Sequence, residues 1–306
     1  MFYKNLKDIT LPTMKGRVAV KLHMGDTGSL KTRLSPEDVS IIVNKLREGG
    51  TKPFLFDTTT LYRRARYTEE GYANFAREHG FDGFDVIIGS DNECKDIGGY
   101  GVPKALLAAD GMLVLSHAKG HSFTGFGGAL KNIGMGCVNK EGKRKIHMLS
   151  KPVYDESKCR QCGICVDACE DHLIEIRGKK IVIDMKDCSG CGECCKACPT
   201  GALFQKEGSV EESFDRFNGA AKAIVSEFME KGRPVFCVNV LKNITERCDC
   251  SENPGRIVCP DIGCVTGENP LKVDLETVEL IKKKSPSALD WKTWNLFVKK
   301  AENYFG

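Results

Sequence analysis

Eight cysteines between Cys159 and Cys198 fall into two nearly identical runs. The first is Cys159-x2-Cys162-x2-Cys165-x3-Cys169. The second is Cys188-x2-Cys191-x2-Cys194-x3-Cys198, followed by Pro199. Thiolates are soft, anionic ligands that suit iron–sulfur clusters, and the short steps let three of them wrap one face of a cubane. Disulfides compete with this reading, but they belong to oxidising compartments, and the stretch from Met1 to Asp8 lacks the apolar core of a secretory signal. Zinc competes too, although it usually takes ligands in pairs rather than in two runs of four. Cys195 is left over and reads as a buried thiol. The repeat of about 29 residues extends past the cysteines, each half reading as a short helix followed by a strand.

The segment resembles the bacterial two-cluster ferredoxins. That resemblance implies crossed ligation: Cys159, Cys162, Cys165 and Cys198 around one [4Fe–4S] cluster, and Cys188, Cys191, Cys194 and Cys169 around the other. Glu170 stands where the second run has Pro199, which removes no ligand. A further constellation, Cys248-x-Cys250-x8-Cys259-x4-Cys264, suggests a third metal site, with an iron–sulfur cluster first, zinc second, and free thiols or a redox disulfide as the remainder. The Cys-x-Cys step places both side chains on one side of an extended strand. Cys94, Cys137 and Cys237 show no ligand spacing and read as apolar packing.

The richest pocket segment runs from Ser116 to Gly136. Six glycines fall among the seventeen positions from Gly120 to Gly136, and glycines let backbone amides form anion-binding nests. Gly125, Gly127, Gly128 and Asn132 are the cofactor-binding candidates. Lys119 and Lys131 add positive charge, and His117 and His121 could bind metal or shuttle protons. These four are the catalytic candidates. The competing reading is a tight loop whose histidines make only structural hydrogen bonds. Asp26, Asp57 to Thr60, and Asp91 to Glu93 would converge on the same sheet edge, though singly they read as turn and cap residues. Tyr62-Arg63-Arg64-Ala65-Arg66 reads by default as a solvated helix face, and alternatively as a docking patch for an acidic partner.

The elements that must position these groups alternate along the chain. Strands are expected at 17–23, 53–57, 85–89 and 111–116, and helices from the Ser35 cap to Arg47, from 68 to 80, and after Pro103. After the cysteine runs a helix is expected at 211–231, a strand at 234–240, and helices at 274–284 and 288–304. This order predicts an α/β fold with a mostly parallel sheet and helices on both faces. The economical domain reading is residues 1–151 and 208–306 as two halves of that fold, with an inserted α+β two-cluster ferredoxin-like module at 152–207. Loop insertions cost little entropy. The apolar residues Leu289, Trp291, Trp294, Leu296, Phe297, Ala301, Tyr304 and Phe305 predict a C-terminal helix docked on its own domain, with a homodimer contact as the other outcome.

With 45 basic and 41 acidic residues the formal charge is +4, too balanced to point to nucleic acid. No run reaches the roughly 20 apolar residues of a membrane span. Sixteen cysteines, half assigned to clusters, suggest a reducing, anaerobic cytoplasm. The segments around Asp57-Thr58-Thr59-Thr60, His117 to His121, Gly125 to Asn132, Asn239 to Thr245, Cys248-Asp249-Cys250 and Pro260 to Gly263 resemble the DUF362 family, in the branch carrying an inserted 4Fe–4S module. The resemblance implies the interrupted α/β fold and a recurrent Cys-Asp-Cys step, with Cys259 and Cys264 as departures. If only Cys248 and Cys250 recur, they form a redox pair or ligate metal with His117 or His121. The expected function is electron transfer through two [4Fe–4S] clusters, from a ferredoxin-type or other redox protein to a small-molecule site in the α/β domain. The alternatives are a non-catalytic electron carrier and a metal-handling or cluster-assembly protein.

Overall fold

The computed structural model describes residues 1–178 and 180–306. Its central sheet has seven strands among the described residues: β1 (Phe2–Tyr3), β2 (Arg17–Leu22), β3 (Lys52–Thr58), β4 (Val86–Gly89), β5 (Gly111–His117), β6 (Val235–Leu241) and β7 (Gly263–Gly267). They lie in the order β1-β7-β6-β5-β2-β3-β4. The pairs β6–β5, β5–β2, β2–β3 and β3–β4 are parallel, whereas β7 runs antiparallel to both β6 and β1. The sheet is therefore mostly parallel, as the alternation predicts.

Parallel strands buried on both faces read as continuous apolar runs, because successive side chains enter different cores. Val18, Val20, Leu55, Leu113 and Leu115 join one apolar cluster, while Ala19, Phe54, Phe56, Met112 and Val114 join the other. Helices α1 (Pro36–Glu48) and α2 (Glu69–Ala76) cover the first cluster through Val39, Ile42, Leu46, Tyr72 and Phe75. The helix α1 begins where expected, on a reciprocal Ser35–Asp38 capping box with Pro36 in the first turn. The opposite face is covered by α3 (Ala129–Gly136), α4 (Lys140–His147), α5 (Ser209–Met229), α6 (Pro270–Lys284) and α7 (Trp291–Phe305). The C-terminal helix α7 docks on its own body. Trp294 and Phe297 are buried, and Phe297 meets Phe214 and Phe217 edge-on at 5.3 and 5.2 Å. No described helix is long and apolar enough to cross a membrane.

Two stretches differ from the sequence reading. The antiparallel strand β7, flanked by β1 and β6, occupies a segment read as part of a cysteine site. The glycine-rich stretch is a hairpin, Lys119–His121 against Gly125–Gly127, followed by α3. The glycines there serve close packing. Gly125 has φ of +75°, and a Cβ on it would lie 2.4 Å from the Asp290 carbonyl oxygen, while one on Gly128 would lie 2.3 Å from Asp274 Oδ1. The amides of Ala129 and Leu130, which open α3, donate to the Asp274 carboxylate at 2.7 and 3.0 Å. The anion at this helix start is thus the chain's own side chain, which occupies the two amides that follow Gly128.

Between α4 and α5 the cysteine-rich segment builds a small core of its own from Cys165, Ile174, Ile181, Cys194 and Leu203. Its ends pair as strands, Val153–Tyr154 with Leu203–Phe204, so the chain leaves and rejoins the body at one place. The 29-residue repeat is visible in the backbone. Gln161 and Gly190 have φ of 57° and 61°, Gly163 and Gly192 have 80° and 81°, and His172 and Gly201 have 52° and 66°. Left-handed φ at the non-glycines Gln161 and His172 is tolerated because the turn at each cysteine run demands it.

Asp274 also accepts a 2.7 Å hydrogen bond from Asn239 Nδ2 on β6. Asp274→Ala leaves the buried amides of Ala129 and Leu130 unpaired, at about 1–3 kcal/mol each, and costs Asn239 Nδ2 one of two acceptors, Thr277 Oγ1 at 3.1 Å remaining. We expect the unfolding free energy from urea titration to fall by roughly 3 kcal/mol or more, with a smaller loss for Asp274→Asn. A loss below about 1 kcal/mol would contradict this assignment.

Candidate functional site

A cavity of about 190 Å³ opens at the carboxyl ends of β2, β3 and β5, where parallel sheets place their ligands. The body contributes Lys21, His23, Asp57, His117, His121 and Lys131, and the loop after β6 contributes Cys248 and Cys250. The cysteine-rich segment closes the other side with Glu170, Asp171, Cys191 and Glu193.

The floor is a knot of buried charge. Lys21 Nζ lies 2.9 Å from Asp57 Oδ1 and donates to Asn132 Oδ1 at 2.7 Å. Tyr72 donates its hydroxyl to Asp57 Oδ2 at 2.6 Å. Burial alone would raise the Asp57 carboxyl, but Lys21, His23 and Arg66 outweigh it and bring it down to about 2. Asn132 also donates to the backbone oxygens of Lys21 and Leu115 at 3.2 and 2.9 Å. It stitches β2 to β5, a structural task in place of the expected cofactor contact.

Above the floor, Asp249 is fully buried between His117 and Lys119. His117 Nδ1 lies 3.0 Å from both carboxylate oxygens, and its Nε2 lies 2.7 Å from the Lys242 carbonyl oxygen. Lys119 Nζ donates to the His117 carbonyl at 2.8 Å and lies 3.0 Å from Asp249 Oδ2. Burial would raise the Asp249 carboxyl; the charges of His117 and Lys119 prevail and hold it well below the usual carboxylate range. Both ring nitrogens of His117 are therefore engaged, and the Lys119 ammonium is committed to the clamp. These two candidates position the Cys-Asp-Cys step while lining the cavity.

His121 and Lys131 face the thiols. Lys131 Nζ donates to Cys248 Sγ at 2.9 Å, and the Cys250 amide donates to the same sulfur at 3.4 Å. Burial opposes the Cys248 thiolate, yet hydrogen bonding from Cys250 and the charges of Lys131 and His121 bring it well below the ordinary thiol range. Cys250, which is half-buried and donates to that thiolate, rises well above it. The ligand atoms of His121, Cys248 and Cys250 all lie within 4.8 Å of one another. Cys259 and Cys264 are elsewhere: the first is buried in the apolar cluster on one face of the sheet, the second in the cluster on the other. The four thiols of the expected third site thus do not assemble, since β7 carries Cys264 into the core opposite Val240.

The basic stretch after β3 is a loop rather than a helix, with Arg63 and Ala65 exposed, Arg64 half-buried and Arg66 buried. Arg63 Nε meets Asp187 at 3.0 Å and Arg64 meets Asp171 at 3.1 Å, both acids belonging to the cysteine-rich segment. Arg66 is buried against Asp26 at 3.4 Å. Sequence reasoning passed over Lys21, His23, Lys143 and His147, all of which line the cavity. Lys21 had a signal, a lone charge within an apolar strand. Lys143, inside a basic run on α4, had none. His147 Nδ1 is buried without a hydrogen-bond partner among the described residues, and its ring packs 4.9 Å from Phe123.

Within the cysteine-rich segment, Cys159, Cys162, Cys165 and Cys198 line one small cavity of about 20 Å³ with Pro199. Cys169 interacts electrostatically with Cys194, and Cys188 with both Cys194 and Cys169. Amides donate to Cys159, Cys169 and Cys188 Sγ at 3.4 Å and to Cys198 Sγ at 3.5 Å. Cys195 is half-buried rather than fully buried. Cys137 and Cys237 are buried, as expected, whereas Cys94 is half-buried and its Sγ donates to the Ser90 carbonyl at 3.1 Å.

The family described as "Domain of unknown function (DUF362)" matches residues 18–279. No curated protein matches the chain. Among solved structures, the lactate racemase apoprotein from Thermoanaerobacterium thermosaccharolyticum is 13% identical with a TM-score of 0.41, over 92% of this chain and 56% of that one. A protein from Thermotoga maritima is 13% identical with a TM-score of 0.46, over 91% of this chain and 57% of that one. The chain spans a little over half the length of each.

Lys143 supplies a test of the cavity's interior. Its Nζ donates to Thr58 Oγ1 and the Val138 carbonyl, both at 2.6 Å, and burial brings it down to about 7 from 10.5 despite Asp57 and Asp91. Between those values the unfolded chain holds more protons at this site, so stability rises with pH there, and the penalty is complete below about 7. We expect the stability of Lys143→Met relative to the parent protein to decline as pH rises through that window, as read from urea midpoints. A pH-independent difference would contradict burial of this amine.

Proposed function

The chain belongs to the DUF362 family, and we propose that this member is an iron–sulfur protein that transfers electrons between a protein partner and a ligand held in the large cavity. The proposal includes a ferredoxin-like module at 152–207, interrupting an α/β body formed by 1–151 and 208–306. The fit of the thiols supports it. Cys159, Cys162, Cys165 and Cys198 share a cavity, three from one run and one from the other. Cys169 neighbours Cys188 and Cys194, as Cys191 does, while Cys194 also neighbours Cys165 of the first set. Crossed ligation would place Cys169 with Cys188, Cys191 and Cys194. When bound, [4Fe–4S] clusters supply one-electron transfer.

The chain's own residues do the rest. Amides aimed at the sulfurs stabilise thiolate charge. Cys162 and Ile164 are exposed, which makes the first set the natural approach for a ferredoxin-type donor. The observation that carries the reading is on the other side: Cys191, of the second set, lines the same cavity as His121, Lys131, Cys248 and Cys250. A bare electron carrier needs no buried, charged cavity against its second cluster, so an oxidoreductase is favoured over a carrier. In that role Lys131 and His23 would orient or polarise a small ligand, and the cysteine-rich roof would exclude water.

Protein purified without oxygen should contain about eight irons and eight sulfides per chain. Cys198→Ala and Cys162→Ala should each remove about four irons and leave the same surviving cluster by low-temperature EPR, while Cys169→Ala should match Cys188→Ala. Iron-free protein that is nonetheless folded would overturn the proposal, and losses that follow each run separately would overturn the crossed assignment.

A further inference from the structure

We propose that His121, Cys248 and Cys250 bind one divalent transition-metal ion of the zinc class, with its fourth position open to the cavity for a small anionic ligand. The inference goes beyond the electron-transfer reading and does not depend on iron.

Spacing selects a single ion. The three ligand atoms lie within 4.8 Å of one another. A tetrahedral ion with metal–sulfur bonds of about 2.3 Å and metal–nitrogen bonds of about 2.0 Å spaces its ligands roughly 3.5–4 Å apart, so small rotamer adjustments close the site. A cubane holds its thiolates on separate iron corners, farther apart, and needs a fourth ligand that Cys259 and Cys264 do not supply from the two apolar clusters. Two sulfurs and an imidazole with one position free is the donor set of a catalytic rather than a structural zinc site.

The surroundings are built for thiolate ligation. Asp249 points away from the sulfurs into its clamp with His117 and Lys119, and its carbonyl accepts a 2.9 Å hydrogen bond from Ser29 Oγ. Cys248 and Cys250 lie in a turn rather than the extended strand expected, and their sulfurs nonetheless face one another within 4.8 Å. The Cys250 amide donates to Cys248 Sγ at 3.4 Å. An amide two residues on meets sulfur at the same distance where Gln161 faces Cys159 and Gly190 faces Cys188, the leading cysteines of the two runs.

His121 is oriented from behind. Its Nδ1 accepts from the amides of Phe123 and Thr124, both at 3.2 Å, and lies 3.1 Å from Thr124 Oγ1, which turns Nε2 toward the thiols. Ligation through Nε2 requires the ring proton to move to Nδ1 and those amide contacts to give way; Thr124, which gives its own hydrogen to the Phe126 carbonyl at 2.7 Å, then offers Oγ1 as the acceptor for that proton. His117 cannot substitute, because both its nitrogens are engaged. Two thiolates neutralise a divalent ion. The Lys131 ammonium beside Cys248 then leaves the centre net positive, which suits an anionic fourth ligand.

The test uses full-length, iron-replete protein purified without oxygen and titrated with Zn²⁺ alone. About one zinc per chain should bind tightly, and zinc-edge X-ray absorption should show two sulfurs near 2.3 Å and at least one nitrogen near 2.0 Å. His121→Ala and Cys250→Ala should each abolish that zinc without changing the iron count. The proposal is overturned by zinc that stays at background, by a four-sulfur shell indifferent to His121→Ala, or by a mass two hydrogens short that maps to a Cys248–Cys250 disulfide. Retained zinc in protein devoid of iron would sink the electron-transfer proposal and leave this one standing.

Discussion

One carboxylate with no access to water, Asp249, holds the site together. Burying such a charge costs several kcal/mol unless it is paired and hydrogen-bonded. His117 and Lys119 meet that condition from the end of β5, and the carbonyl of Asp249 is tied to Ser29 near the end of β2. The loop after β6 is thereby pinned across the carboxyl edge of two other strands. Cys248 and Cys250 flank the pinned residue and inherit its placement. Loss of the clamp would release both thiols from Lys131 and His121 without touching any of the four directly.

A second set of ion pairs joins the body to the cysteine-rich segment. Arg63 and Arg144 converge on buried Asp187, which precedes Cys188, and Arg64 pairs with Asp171, which follows Cys169 by two residues. Glu170 accepts from Ser251 at 2.9 and 2.8 Å and pairs with Arg247 at 2.9 Å. The exposed Arg247–Glu170 pair contributes little stability, while the pairs to Asp187 and Asp171 are largely buried on the acid side; together they fix register. Each joins the body to a residue next to a thiol of the second set, or ties the Cys-Asp-Cys loop to the roof of the cavity. The distance between the two chemistries is thus set by charge pairs at their boundary.

Much of this organisation was legible in the sequence because it is periodic or punctuated. The parallel strands announce themselves as apolar runs, α1 by Ser35, Pro36 and Asp38, and the cysteine runs by their spacing. The strand β7 was hidden because Gly263-Cys-Val-Thr-Gly267 is short and carries a cysteine that invites a metal reading. The glycine-rich stretch looked like an anion nest because composition does not reveal that Asp274, some 145 residues away, already occupies the amides of Ala129 and Leu130. The opposing roles of His117 and His121 were equally invisible. Only the fold decides that one ring is saturated by Asp249 and Lys242 while the other turns to the thiols. The same holds for Arg63 and Arg64, whose partners lie more than a hundred residues downstream.

The central claim is that the two cysteine runs carry redox centres close enough to act together beside the cavity. Low-temperature EPR of the full-length protein, reduced with dithionite under anaerobic conditions, tests it most directly. The account predicts roughly two unpaired spins per chain with the line broadening of two magnetically interacting [4Fe–4S]⁺ centres. A folded protein that gives no such signal on reduction would contradict it.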